Sequence, residues 1–234
     1  MLETVRAGRW QPLEVSIDPA LLDAAVRSEL DRLVALRKIM LTETSGPELT
    51  RLCGAKEHQG LLAKMPPYPY ANAEAVLKKL HGRSAVLVLA GVQDPFNFGS
   101  ILRSAEVFGF DAVFVPSTGQ AGVSAHVTRS SVGAVNYLDI VQMEQPLDCC
   151  QRLKTLGLQL VAATEKGQHP PAHVNLQPGT ALLIGNEGTG IPGELLDLSD
   201  LQVCIPLQGQ IDSLNAAVAA GILCYELRRQ RESS

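Results

Sequence analysis

The chain has 234 residues, of which 46% are hydrophobic, and its formal net charge at pH 7 is −4. A chain of this length can bury a substantial core and lies between one large domain and two small ones, so a globular enzyme is expected. The acidic balance does not favour a nucleic-acid-binding protein, because phosphate recognition usually leaves a basic surface. A local basic patch on an acidic protein would nevertheless be enough for a few phosphate contacts.

The N-terminus and the cysteines indicate a cytoplasmic protein without a disulfide framework. The first ten residues mix Glu3, Arg6 and Arg9 with no apolar run, and no segment reaches the length of a membrane span. Five cysteines without metal-ligand spacing predict reduced, mostly buried thiols. His169 and His173 flank two prolines, which exclude the helical geometry of a ligand pair, so no metal is assigned.

The first part of the chain predicts a small α/β unit. Short β-prone runs at 13–17 and 39–41 alternate with helical patterns at about 19–34 and 48–53. These elements form a first domain, residues 1–63.

A proline-rich segment separates this unit from the rest. Residues 64–70 contain three prolines and cannot form a regular helix or a central strand, so 64–83 is interpreted as a linker with a helix at 73–80. The run at 85–90 is uniformly apolar, which is typical of a parallel strand covered on both faces. It begins a second domain, 84–234.

In this second domain, strand and helix patterns alternate, which predicts an α/β fold on a mostly parallel sheet. Further strands are expected at 112–115, 158–162, 181–184 and 201–205, and helices at 100–108, 146–155 and 213–229.

Residues 91–99 form the first of three segments that carry chemistry. They follow an apolar strand and contain Asp94 and Asn97, with Arg103 in the helix beyond. In open α/β sheets, ligands bind beyond the carboxyl ends of the strands, and an arginine fork is suited to gripping phosphate. A turn at Asp94, a helix cap at Asn97 and a solvated arginine would use the same residues, so the segment is ambiguous by itself.

The other two segments also follow predicted strands. Residues 184–192 hold three glycines in six positions, which let the backbone approach a ligand closely but lack the dinucleotide-binding order and the phosphate-loop lysine. Glu187 would face a ligand or hold a neighbouring side chain, unless it is an exposed acid in a turn. Beyond 205, Ser213 is suited to cap the last helix, whose small residues allow close packing.

Three patterns therefore occur in order along the chain: Asp94-Pro95-x-Asn97-x-Gly99-x-x-x-Arg103-x-Ala105, Gly185-x-Glu187-Gly188-x-Gly190, and Ile205-Pro206 with Ser213-Leu214-Asn215. They resemble the signature motifs of the SpoU (TrmH-like) RNA 2′-O-ribose methyltransferases of the SPOUT superfamily. The resemblance covers about 84–230, and three motifs in combination are specific where each alone is not.

The N-terminal part carries a weaker resemblance. His58-Gln59-Gly60 is similar to the end of the substrate-binding domain in the branch that methylates guanosines of 23S ribosomal RNA. This resemblance favours ribosomal RNA over transfer RNA as the partner. The glycine-containing helix with which that domain usually opens is not recognised, which indicates a truncated or divergent start.

The resemblance implies a deep C-terminal trefoil knot, a rare exception to the rule that chains are unknotted. It implies S-adenosylmethionine as the cofactor, with its adenine held largely by backbone groups, and a homodimer paired through the knot region and the last helix. The cofactor-binding residues that it implies are Gly185, Ile205, Leu214, Thr164 and Asn186.

It also implies that Arg103 lies at the ribose 2′-hydroxyl. Because the pKa of arginine exceeds 12 in water, positioning of phosphate and hydroxyl is its expected first role, with base action restricted to a strongly desolvated site. Asn97, Glu187, Ser213 and Asn215 would orient Arg103, the RNA or the cofactor.

Other functions stay open at this point. A transfer RNA 2′-O-methyltransferase would use the same motifs, and a non-catalytic RNA-binding ribosome assembly factor could keep the fold. A nicotinamide-dependent oxidoreductase is disfavoured because no Gly-x-Gly-x-x-Gly follows the early strand.

Overall fold

The computed structural model describes residues 1–56, 58–211 and 213–232, and the chain divides into two compact units, Met1–Pro69 and Tyr70–Ser234. The division falls inside the predicted 64–83 linker. Among the described residues, none of the helices combines the length and the apolarity that crossing a membrane requires.

The first unit is a three-stranded sheet with helices. Its central strand β1 runs parallel to β2 and antiparallel to β3. Val15 and Ile17 on β1 and Leu30 on α2 are fully buried in its core. The elements are α1 Leu2–Ala7, β1 Glu14–Ile17, α2 Ala24–Arg37, β2 Met40–Glu43, α3 Gly46–Cys53 and β3 Leu61–Lys64.

Three features of this unit differ from the sequence prediction. A short helix, α1, precedes β1 and was not predicted; Gly8 ends it with a left-handed φ of 71°. The strand β3 was not predicted, because its short apolar run shows no alternation. Pro19 opens a 3-10 turn rather than α2, since the Asp18 side chain accepts a hydrogen bond from the Ala20 amide.

The second unit is a six-stranded sheet in the order β6-β5-β4-β8-β7-β9, and every neighbouring pair is parallel. This confirms the predicted α/β fold with a mostly parallel sheet; the trefoil knot stays a prediction. The strands are β4 Ala85–Ala90, β5 Ala112–Pro116, β6 Asp139–Met143, β7 Gln159–Ala163, β8 Thr180–Gly185 and β9 Leu201–Val203. The helices are α4 Ala73–Leu77, α5 Pro95–Val107, α6 Ala125–Ser130, α7 Pro146–Thr155, α8 Gly193–Leu198 and α9 Ala216–Glu232.

Both faces of this sheet are covered, which explains the uniformly apolar strands. On one face, alternate residues such as Val86 and Val88 of β4 join a core with α4, α7 and α8. On the other face, α5 packs against α6 and α9, and Phe98 of α5 is fully buried. A strand that contacts helices on both sides has no solvent-facing positions to fill with polar residues.

The cysteines are free, as expected, but fewer of them are buried than predicted. Cys150 and Cys224 are buried, and burial raises the pKa of each thiol to about 12. Cys53 is exposed, and the remaining two are half-buried.

Candidate active site

Strand register brings the predicted motifs to one edge of the sheet. Ala90 at the end of β4 pairs with Gly185 at the end of β8, so the first and second motifs leave the sheet side by side. Ala163 of β7 pairs with Val203 of β9, which places the loop after Thr164 beside the start of the third motif. This carboxyl edge is where parallel α/β sheets bind ligands.

Asn97, Glu187 and Asn215 form a hydrogen-bonded chain that joins all three motifs. Asn97 Nδ2 donates to Glu187 Oε1 at 3.0 Å, and Asn215 Nδ2 donates to Asn97 Oδ1 at 2.8 Å. A carboxylate can only accept, so Asn97 must present its NH₂ to Glu187 and its oxygen to Asn215. The chemistry of the three groups therefore determines the direction of every bond in the chain.

Local helix signals hold both asparagines in place. The Asp94 side chain accepts from the Phe96 amide at 2.9 Å and Pro95 follows, so α5 starts five residues before its predicted beginning. Asn97 therefore lies in the first turn of α5 and does not cap it. Asn215 Oδ1 accepts from the amides of the second and third residues of α9, at 2.9 and 3.2 Å. Asn215, and not the predicted Ser213, caps α9.

Arg103 and Ser213 are not part of this hydrogen-bonded chain. Arg103 lies nearly two turns beyond Asn97 on α5 and is exposed, and its side chain makes no hydrogen bond or ion pair with any residue the structure describes. Ser213 is also exposed, and its side chain has no hydrogen-bond partner among the described residues. All the donors of the Arg103 guanidinium are therefore free of side-chain and main-chain acceptors in the described part of the chain.

Asn186 braces the glycine-rich loop. Its backbone exchanges two hydrogen bonds of 3.0 Å with Gly190, and its Oδ1 accepts from the amides of Gly188 and Thr189 at 2.8 and 3.0 Å. Its Nδ2 donates to the Gly91 carbonyl at 2.6 Å, which ties this loop to the first motif. Because both ends of the side chain are engaged, only the backbone of Asn186 can serve the cofactor role predicted for it.

Gly185 occupies a position where no side chain fits. A Cβ there would lie 2.5 Å from the carbonyl carbon of Gly190 and 2.8 Å from the amide nitrogen of Ile191. The loop after β7 is packed as closely, because the Thr164 amide donates to the Val203 carbonyl at 2.9 Å. The site is therefore walled largely by main chain.

The loop after β9 has the character of a binding surface for an adenine nucleoside. Residues 205–211 make no main-chain hydrogen bond with any part of the chain that the structure describes. Leu207, Ile211 and Leu214 on this loop are 38%, 76% and 38% exposed, while Ile205 is half-buried. Free amide and carbonyl groups beside uncovered apolar side chains can pair the edge of a purine and cover its face. These residues fit S-adenosylmethionine.

Comparison with known proteins agrees with this geometry. Residues 84–225 match the model of the SpoU rRNA Methylase family. A 23S rRNA (guanosine-2′-O-)-methyltransferase RlmB from a Burkholderia species is 34% identical over 222 residues, 93% of this chain and 88% of the relative. A Staphylococcus aureus protein that carries the name of a TrmH family tRNA/rRNA methyltransferase is 32% identical over 198 residues, 83% of this chain and 79% of the relative.

Among solved structures, the SpoU methyltransferase AviRb from Streptomyces viridochromogenes, in complex with the cofactor AdoMet, superposes with a TM-score of 0.82. Its sequence is 28% identical, and the match covers 99% of this chain and 87% of that one. The fold and the site thus define an RNA methyltransferase that uses S-adenosylmethionine. The chain belongs to the SpoU rRNA methylase family.

Proposed function

We propose that this enzyme methylates the ribose 2′-hydroxyl of a guanosine in large-subunit ribosomal RNA. The observation that carries the proposal is the chain of hydrogen bonds from Glu187 through Asn97 to Asn215. Its central member, Asn97, lies on the same helix as the exposed Arg103. The Burkholderia relative is named for guanosine-2′-O-methylation of 23S rRNA, which supports guanosine as the nucleotide and ribosomal RNA as the substrate. It matches 222 residues of this chain, which is more than the second unit alone contains.

The cofactor would be held by main-chain groups of Gly185, of the loop beginning at Thr164, and of residues 205–211, with Leu214 covering an apolar part. When bound, S-adenosylmethionine supplies an electrophilic methyl group. A ribose hydroxyl is a poor nucleophile, so the residues around it must position it in line and assist departure of its proton.

Arg103 is the residue assigned to the hydroxyl. Its planar fork can donate one hydrogen bond to the phosphate beside the target ribose and another to the 2′-oxygen. The bond to the 2′-oxygen stabilises the negative charge that develops there as the O–CH₃ bond forms and the S–CH₃ bond breaks, so the hydroxyl proton can pass to water. Asn97, Glu187 and Asn215 hold the first turn of α5 against the glycine-rich loop and the start of α9, which orients Arg103. Ser213, two residues before the cap of α9, is exposed and is proposed to contact RNA or cofactor.

Substitution of Arg103 tests this assignment. We expect Arg103→Ala to abolish methyl transfer to in vitro transcribed large-subunit RNA while leaving S-adenosylmethionine affinity unchanged in calorimetry. Arg103→Lys should restore little, because an ammonium lacks the fork. Arg152→Ala removes a surface arginine paired with Glu74 on the other face and serves as the control. Turnover at the wild-type rate in Arg103→Ala would exclude the proposed role.

Transfer RNA is the second candidate substrate, and the Staphylococcus relative, named for both RNAs, favours keeping it. We propose that the first unit, residues 1–69, binds the RNA and directs the enzyme to ribosomal RNA in the cytoplasm. Mapping 2′-O-methylation in both RNAs from cells lacking the protein separates the two. A non-catalytic assembly factor would leave both maps unchanged and need not bind S-adenosylmethionine.

We also propose that the enzyme is a homodimer. Val218, Ile222 and Tyr225 recur on one side of α9 and are 51%, 39% and 54% exposed, and Val107 at the end of the neighbouring α5 is 66% exposed. A contiguous apolar surface of this kind marks an interaction site. Ile222→Asp should convert a dimer to a 25.0 kDa monomer in light scattering at micromolar concentration. Leu36→Asp, at a more exposed apolar position in the first unit, should not. A monomeric wild type would exclude the dimer.

A further inference from the structure

The first motif does not specify the residue between Pro95 and Asn97. In this chain that residue is Phe96, whose aromatic ring is exposed. Phe96 is 55% exposed although it lies in the first turn of α5, next to a residue of the hydrogen-bonded chain. The Asp94 cap on its amide fixes the backbone that carries it. A large apolar side chain exposed at this place has no role in the function proposed above.

A second ring accompanies it. His126 of α6 lies with its ring centroid 5.6 Å from that of Phe96, and the two planes meet at 55°. The helices α5 and α6 are closely packed here. Ser130 Oγ of α6 donates to the Pro95 carbonyl of α5 at 3.3 Å, and a Cβ on Gly99 of α5 would come within 1.9 Å of the same Ser130 Oγ. The relative position of the two rings is therefore determined by backbone packing.

Two cations lie on the same two helices as the rings. Arg103 follows Phe96 by seven residues and lies on the same face of α5, and Arg129 follows His126 by three residues on α6. Both are exposed, and neither side chain forms a hydrogen bond or an ion pair within the described part of the chain. Exposed aromatic rings on the same helices as unpaired cations favour a ligand that carries flat bases and phosphates over an apolar protein surface.

We propose that Phe96 and His126 form a stacking platform for an unpaired base of the RNA substrate beside the methylated nucleotide, with Arg103 and Arg129 on the adjoining phosphates. This inference rests on the proposed function and adds to it a residue that determines how RNA binds. Every base has a π-face, so such a platform contributes affinity and position and does not select one base.

Kinetics of three substitutions of Phe96 test the platform. With transcribed large-subunit RNA, Phe96→Ala should raise the KM for RNA by roughly tenfold or more, which is the usual effect of losing one stacked base. The kcat and the S-adenosylmethionine affinity should stay near wild type. Phe96→Tyr should restore the KM, whereas Phe96→Leu, which keeps the apolar volume without the π-face, should not. Leu156→Ala, which truncates a partly exposed apolar side chain after α7, is the control.

Fluorescence gives an independent readout. The only tryptophan of the chain, Trp10, is 6% exposed and lies in the first unit. Phe96→Trp should therefore add an exposed emission that a short single-stranded RNA quenches, with no such change in wild type. Quenching that depends on protein concentration without RNA would instead assign the ring to a second copy and overturn the platform.

The two proposals fail differently. Absence of methyl transfer by the wild-type enzyme on ribosomal and transfer RNA overturns the proposed function. Normal transfer by Phe96→Ala with an unchanged KM, or a Leu variant as good as Tyr, overturns only the platform.

Discussion

Replacing Gly185 by alanine tests whether the glycine-rich loop must lie as close to the end of β8 as the structure has it. The new Cβ would come within 2.5 Å of the Gly190 carbonyl carbon, where ordinary contacts begin at 3.4 Å, so the loop must move by about 0.9 Å. The atoms in the way belong to the backbone of Gly190 and Ile191, and no side-chain rotation can relieve the contact.

The magnitude follows from what that movement disrupts. It separates Asn186 from Gly190, which exchange two backbone hydrogen bonds of 3.0 Å. Each such bond contributes about 1 kcal/mol net, and overpacking costs about 1–3 kcal/mol, so the second unit should lose about 3–5 kcal/mol of unfolding free energy. That corresponds to a decrease in Tm of roughly 6–20 °C for a domain of this size. S-adenosylmethionine affinity should fall at least about tenfold, as expected for the loss of 1.4 kcal/mol of binding free energy.

Scanning calorimetry and titration calorimetry measure the two effects on the same samples. Gly193→Ala is the matched control: it lies in the next helix, and a Cβ there meets nothing within 4 Å. Alanine is favoured over glycine in helices by about 0.5–1 kcal/mol, so this variant should keep or slightly raise the Tm. A Gly185→Ala enzyme with wild-type Tm and wild-type cofactor affinity would refute the close-packed loop.

Two further predictions concern single hydrogen-bonded groups. Asn97→Asp removes the donor to Glu187 and places two carboxylates next to each other. Methyl transfer should fall roughly tenfold or more, because this is the effect expected for losing a hydrogen bond to a charged group. A folded variant with wild-type kcat would contradict this prediction. The pKa of Glu226 lies below its ordinary 4.5, chiefly because Arg229 donates to it, so its contribution to stability is complete above that pH and is lost as the pH falls through the folded-state pKa. Glu226→Gln should therefore lower the unfolding free energy by about 1 kcal/mol at pH 7, and the difference should close as the pH falls below that ordinary value. Glu232→Gln, at a surface pair, should change it less, and equal urea midpoints for both variants would exclude the effect.

The strands of the large sheet were predictable wherever both of their faces are buried. The run that became β4 was predicted at its observed limits, and β8 differs by one residue at each end, because uniform apolarity reports burial directly. The edge strand β6 was not predicted, since it begins with Asp139 and carries an exposed Gln142. The six-residue helices α6 and α8 were missed as well, because helices this short are stabilised by packing rather than by their own sequence.

Helix starts show where local patterns compete. Asp94 and Asn97 are both good caps, as are Ser213 and Asn215, and sequence preference alone does not choose between them. The sequence left a cap at Asn97 as an alternative to a ligand-facing role and favoured a cap at Ser213, but the structure uses Asp94 and Asn215. The choice is made by what else each side chain contacts, since Asn97 already pairs with Glu187.

The sequence by itself determined the fold class, the three loops that carry chemistry and, through family resemblance, the cofactor and the reaction. Only the tertiary structure decided which side chains meet: Asn97, Glu187 and Asn215 join across 90 and 118 residues, Arg103 and Ser213 remain exposed, and Asn186 is engaged by its own loop. The physical reason is that these contacts depend on β4 lying beside β8. Hydrophobic periodicity records that a strand is buried but not which strand is its neighbour.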